Sequence, residues 1–211
     1  MLLSRLIRAI GLVHLVLASL VAALVVTEPS VRRYGDTLQV ALPLLAWGCA
    51  ATGGGGSEFA LRAGLLVGIT HASKAILGDA ALNRRPNGLP GGFPSAHTGA
   101  AVLGASALVQ GCLRGSPVGQ AAVLIAAGFT GASRIAVGEH TIWQVLAGAI
   151  LGWLCDRLLR RGPGRQRLVR LCSTARAGLR RRLPDLPPRR AFLLRAGLVC
   201  VMCLAVIPAL I

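Results

Sequence analysis

Three short stretches of the 211-residue chain hold the residue types that phosphate chemistry requires. The first, 74–86, reads KAILGDAALNRRP and carries Lys74, Arg84 and Arg85. The second, 93–98, reads FPSAHT and carries Ser95 and His97, and the third, 133–144, reads SRIAVGEHTIWQ and carries Arg134, His140 and Gln144. A phosphate monoester or diphosphate holds its charge on peripheral oxygens, which arginines and a lysine can grip together. Ser95 and the free amides of a helix starting there offer an anion site. Two histidines supply a nucleophile for phosphorus and an acid for the departing alkoxide. The acids near these stretches are Glu139 and Asp79, too few to hold magnesium or zinc, so the expected route uses no metal and no cofactor. Gln144 follows His140 by four residues and shares its helix face, where its amide oxygen can accept the imidazole N–H.

These stretches must be positioned by something other than a soluble core. The chain is 54% hydrophobic and only 14% charged, with a mean hydropathy of +0.66. That balance excludes soluble, disordered and disulfide-scaffold classes and points to a bilayer. Apolar segments at 9–26, 38–52, 59–77, 96–113, 118–136 and 141–159 read as six spans, with 191–211 as a seventh. The first is too long for a cleaved signal sequence and is expected to stay as a helix. The expected fold is therefore all-α, a polytopic membrane bundle. Its catalytic domain covers 1–160, a basic segment 161–190 and a C-terminal span 191–211.

Arginine placement sets the expected orientation. With the amino terminus inside, Arg5, Arg8, Arg62, Arg114, Arg195 and the twelve arginines of 157–190 lie on the cytoplasmic side, and five lie outside. All three chemistry-bearing stretches then fall at the outer ends of spans three to six. Leu168, Leu171, Cys172, Ala175, Leu179 and Leu183 recur at helical spacing in the basic block, as in an amphipathic helix on the inner leaflet. The net charge of +16 thus fits anionic lipid headgroups rather than nucleic acid. The six cysteines show no metal-ligand spacing and read as small buried apolar side chains. His14 and His71 read as packed or hydrogen-bonded helix residues, Asp79 as a solvated loop acid, and Trp143 and Trp153 as interfacial anchors.

The run Arg85-Pro86, Pro94-Ser95-Ala96-His97, Ser133-Arg134-x5-His140-x3-Gln144 resembles the type-2 phosphatidic acid phosphatases related to vanadium haloperoxidases. Their pattern is Lys-x6-Arg-Pro, Pro-Ser-Gly-His and Ser-Arg-x5-His-x3-Asp, and the likeness covers roughly 74–152. The resemblance implies that His140 is a nucleophile forming a phosphohistidine and that His97 is the general acid. It also implies that Lys74, Arg85, Ser95, the Ala96 amide and Arg134 hold phosphate oxygens.

Two positions depart from the pattern. Gly78 stands where the family has lysine, with Lys74 one helical turn earlier, and Gln144 stands for aspartate. The run His-Thr-Ile-Trp-Gln-Val at 140–145 is similar to the third motif of dolichyl diphosphate phosphatases, where glutamine is normal. The resemblance implies a lipid phosphatase of a bacterial inner membrane, its site facing the periplasm. Its substrate would be a polyprenyl diphosphate, a lipid A phosphate or a glycerolipid phosphate. The alternatives are a lipid-to-lipid phosphotransferase of the same chemistry and a catalytically weak lipid-binding scaffold.

Overall fold

The structure, a computed structural model, describes residues 2–158 and 160. The expected basic surface helix at 161–190 and the span at 191–211 lie outside the described residues. Within them the fold is all-α: α1 (Leu2–Val25), α2 (Val31–Thr52), α3 (Gly56–Leu77), α4 (Ala96–Gln110), α5 (Pro117–Ala136) and α6 (Ile142–Leu158), with one 3₁₀ turn at Ala81–Asn83. Each helix falls on one of the six apolar segments.

The helix starts follow local chemistry. Ser30, Ser95 and Ser116 cap α2, α4 and α5 through their hydroxyl oxygens, which accept the backbone N–H of Arg33, Thr98 and Gly119. Pro117 opens α5, where a missing N–H costs nothing. α2 begins seven residues before the apolar segment it contains, so Arg32, Arg33 and Asp36 are helical rather than loop residues.

α3 stops at Gly78, whose φ of +46° suits glycine. This break explains the displaced lysine. Lys74 sits in the last turn of α3, and the additional residues before Arg85 are taken up by the chain reversal after Gly78 and the 3₁₀ turn. Buried Asn83 fastens that reversal. Its amide nitrogen donates to the carbonyls of Lys74 (3.1 Å) and Gly78 (2.7 Å), and its amide oxygen accepts the Phe93 N–H at 3.0 Å.

α4 is the centre of the bundle and is buried almost all round, as expected of a helix apolar on every face. Leu103 and Leu108 meet Leu38, Leu42 and Ala46 of α2 and Val123 and Ala127 of α5 in one core cluster. Small residues set the spacing. A Cβ on Gly148 would strike the Ser95 carbonyl, and one on Gly152 would strike the Gly99 carbonyl, so α6 lies backbone to backbone against the start of α4.

At the end of the bundle away from the α4 N-terminus, Arg62 Nη1 donates to Asp156 Oδ1 at 2.6 Å, and Ser106 Oγ donates to Asp156 Oδ2 at 2.6 Å. Arg62 is thus buried structure, not a cytoplasmic surface charge, and it drops out of the orientation argument. Near the same end, Cys49 and Cys112 form a disulfide between the end of α2 and the turn after α4. That corrects the reading of all six cysteines as simple apolar side chains, while Cys155 is free and buried.

α3 and α5, of 22 and 20 residues, are the two described helices long and apolar enough to cross a bilayer by length and composition. α4 has 15 residues, or about 22 Å at 1.5 Å per residue, less than the ~30 Å hydrocarbon core. Large apolar side chains nevertheless face outward from the bundle, among them Ile76 at 83%, Ile125 at 71% and Ile150 at 58% exposure.

Candidate functional site

The three chemistry-bearing stretches meet at one end of the bundle, and a continuous set of contacts joins them. His140 lies between α5 and α6 and is buried, 3% exposed. Its Nδ1 is 3.3 Å from Gln144 Oε1, which also accepts the Thr141 N–H at 3.1 Å. Gln144, one of the most buried polar residues, donates from Nε2 to the carbonyls of Leu82 (3.0 Å) and Arg84 (2.9 Å). The backbone carbonyl of Gln144 accepts the Ser95 N–H at 2.9 Å. One glutamine therefore ties His140 to the Arg84–Arg85 loop and to the start of α4.

This geometry gives a reason for glutamine where the resemblance expects aspartate. The position needs an acceptor on one side and two donors on the other. An amide supplies both, whereas a carboxylate would face the Leu82 and Arg84 carbonyls with no hydrogen to give. Because Oε1 accepts, the His140 proton sits on Nδ1, which puts the lone pair on Nε2. Gly92 has the room for this arrangement only as glycine, since a Cβ there would lie 2.5 Å from Gln144 Nε2.

The cations are held by carboxylates. Arg85 Nη1 donates to Glu139 Oε2 at 2.6 Å, and Arg32 Nη2 donates to Glu139 Oε1 at 3.1 Å. Burial works against the Glu139 charge, but the hydrogen bond and charge of Arg85, then those of Arg32, hold its carboxyl below the usual range. Arg134 is 3% exposed and anchored three ways, by Nε to Ser133 Oγ (3.2 Å), Nη1 to Asp36 Oδ1 (2.8 Å) and Nη2 to the Arg32 carbonyl (2.8 Å). Asp36 Oδ1 also lies 3.3 Å from His97 Nε2. Arg85 Nε is buried and has no partner among the described residues.

Lys74 forms no ion pair among the described residues, and it acts electrostatically on both His97 and His140. At the start of α4, Ser95 Oγ accepts from Thr98 Oγ1 at 3.0 Å and keeps its own proton to donate. The Ala96 and His97 amides stand in the first turn, where a helix offers no internal acceptor. Burial drives the His140 pKa from 6.5 down to about 4; the Gln144 hydrogen bond and the Gly92 backbone oppose that fall, and the Arg85 and Lys74 charges add to it. The imidazole is neutral across the physiological range.

All eight residues expected from the sequence are thus drawn together: Lys74, Arg85, Ser95, Ala96, His97, Arg134, His140 and Gln144. Arg84, Asp79 and His71 are exposed. Asp36 and Arg32 were not anticipated. They precede the first motif by about forty residues, and their only local signal is a charged turn opening an apolar helix. Among the described residues no group of three or more His, Cys, Asp and Glu side chains is arranged to hold a metal ion.

A family model of the PAP2 superfamily matches residues 12–167, most of the chain. The chain belongs to the PAP2 superfamily. That assignment covers α2 as well as the motif-bearing helices. No curated protein and no solved structure matches at a significant level. PAP2 members are generally phosphatases acting on phosphate esters, often those of lipids, and membership supports a phosphoric ester hydrolase.

Replacing Gln144 by Asp would set a carboxylate against two carbonyls and leave it a methylene short of His140. The variant is expected to lose about 1–3 kcal/mol of stability and to lower any turnover rather than restore it. Thermal unfolding in detergent together with an activity assay checks this.

Proposed function

We propose that the protein is an integral membrane lipid phosphatase working through His140 without a metal. The observation that supports it is the neutral, buried imidazole of His140, held through Nδ1 by Gln144 in one cluster with Arg85, Arg134 and Lys74. The buried, unpartnered Arg85 Nε and the first-turn amides of α4 supply donors for phosphate oxygens.

The reaction has two displacements. His140 Nε2 attacks phosphorus as the bond to the leaving oxygen breaks, and His97 gives that oxygen a proton, leaving phosphohistidine and a free alcohol or shorter phosphate. Water then attacks phosphorus while His97 takes its proton. The N–P bond breaks, inorganic phosphate leaves and both histidines return to their starting states. Arg85, Arg134, Lys74 and Ser95 bind the equatorial oxygens, where charge builds up in transfer.

The outward apolar side chains support a bundle with all six described helices in the bilayer, its site at the headgroup level. A lipid phosphate or diphosphate then enters with its tail in the membrane; polyprenyl diphosphates, lipid A phosphates and glycerolipid phosphates all satisfy this. The arginine asymmetry, without Arg62, favours the amino terminus inside and the site facing the periplasm of a bacterial inner membrane, whereas the Cys49–Cys112 disulfide, which that orientation places at the cytoplasmic end, argues the other way.

The test is phosphate release from a panel of these lipids in detergent, with and without a chelator. Turnover of at least one lipid, unaffected by chelator and reduced at least about a thousandfold by His140→Ala, is expected. Chelator-sensitive turnover, or turnover that survives the substitution, contradicts the proposal. The pH profile provides a separate check. Protonation of His140 removes its lone pair, so kcat/KM should fall as the pH drops through about 4. An acid limb near the ordinary histidine value would show that burial does not control this group.

A further inference from the structure

α2 lies outside all three motif stretches, yet its first two turns reach the site. Gly35 brings it there: a Cβ at that position would strike Ser133 Oγ and come within 2.6 Å of Arg134 Nη2. The helix therefore lies directly on the end of α5, and the next residue, Asp36, extends a carboxylate oxygen to both Arg134 Nη1 (2.8 Å) and His97 Nε2 (3.3 Å).

The charged groups acting on His97 come from three helices: Asp36 on α2, Lys74 on α3 and Arg134 on α5. Its own helix carries none. α6 carries its charges, Asp156 and Arg157, at the far end, and Glu139 is paired with Arg32 and Arg85. A histidine that must deliver a proton thus stands near two cations and one anion.

We propose that Asp36 is the positioning residue for His97, fixing the imidazole through Nε2 and supplying the negative charge that lets it carry a proton beside Arg134 and Lys74. With Nε2 turned to Asp36, Nδ1 is the ring nitrogen that hands the proton to the leaving oxygen and later takes one from water. The carboxylate itself keeps its charge throughout. This inference rests on the phosphatase reading for its catalytic consequence, though the Asp36–His97 coupling can be measured without turnover.

The first experiment compares Asp36→Asn with wild type on two substrates, a glycerolipid phosphate monoester and p-nitrophenyl phosphate. The second has a leaving group that departs without a proton. The variant should lose about 10²-fold or more on the lipid in kcat/KM, which reports the first displacement alone, and only a few-fold in kcat/KM on the nitrophenyl ester. The basic limb of its pH profile should move to lower pH, and Asp36→Glu should recover part of the rate. Equal losses on both substrates would overturn the proposal, because Asp36 would then act only by holding Arg134.

The second experiment follows the four histidines of the detergent-solubilised protein by nitrogen NMR, with His97→Gln to assign the signal. The His97 titration should move to lower pH in Asp36→Asn, and an unchanged titration overturns the proposal even if activity falls. If the wild type turns over no phosphate ester, the phosphatase reading fails, and the titration still decides whether Asp36 governs His97.

Discussion

The proposed phosphate site has to exist before a phosphate arrives, and that forces cations close together. Two unit charges 4 Å apart repel by about 4 kcal/mol at an effective dielectric of ~20, so two arginines and a lysine cannot simply be placed at one end of a bundle. Here two carboxylates make the crowding tolerable. Glu139 stands between Arg32 and Arg85, and Asp36 stands between Arg134 and His97. Each leaves hydrogens of its arginine unused, so the cation is oriented without being used up. Lys74, with no carboxylate partner among the described residues, is the cation least compensated by the protein.

The rest of the bundle serves to bring those groups to one place. α4 presents its amino end and is held by close backbone contact with α6 at Gly148 and Gly152. Asn83 ties the end of α3 to the loop before α4, and Gln144 ties α6 to the Arg84–Arg85 loop. Buried amides perform both tasks because an amide can donate and accept at once. The opposite end is fixed by the Arg62–Asp156–Ser106 group. Breaking that group would leave an uncompensated buried charge.

Much of this was legible in the sequence, for identifiable reasons. Apolar runs located all six described helices, because the faces that pack in the core and the faces left outward both carry apolar residues. The order and spacing of the residues between Lys74 and Gln144 marked the site through their likeness to a known pattern, although its contacts, such as Arg85 with Glu139 across 54 residues and Gln144 with Leu82 across 62, are themselves long-range. The misses were long-range. Asp36 meets Arg134 across 98 residues, Arg62 meets Asp156 across 94 and Cys49 meets Cys112 across 63. No periodicity encodes such pairings. The acceptor role of the Gln144 oxygen toward His140 was readable from their four-residue spacing, whereas the two carbonyls that its nitrogen serves were not.

The central claim is that phosphorus passes through His140. The most direct measurement is a rapid quench of the enzyme with a ³²P-labelled lipid phosphate, followed by alkaline digestion and mass spectrometry of the labelled peptide. The account predicts an acid-labile, alkali-stable phosphoryl group on His140 that forms and decays at rates competent for turnover. Label on another residue, or label that persists in the His140→Ala protein, would contradict it.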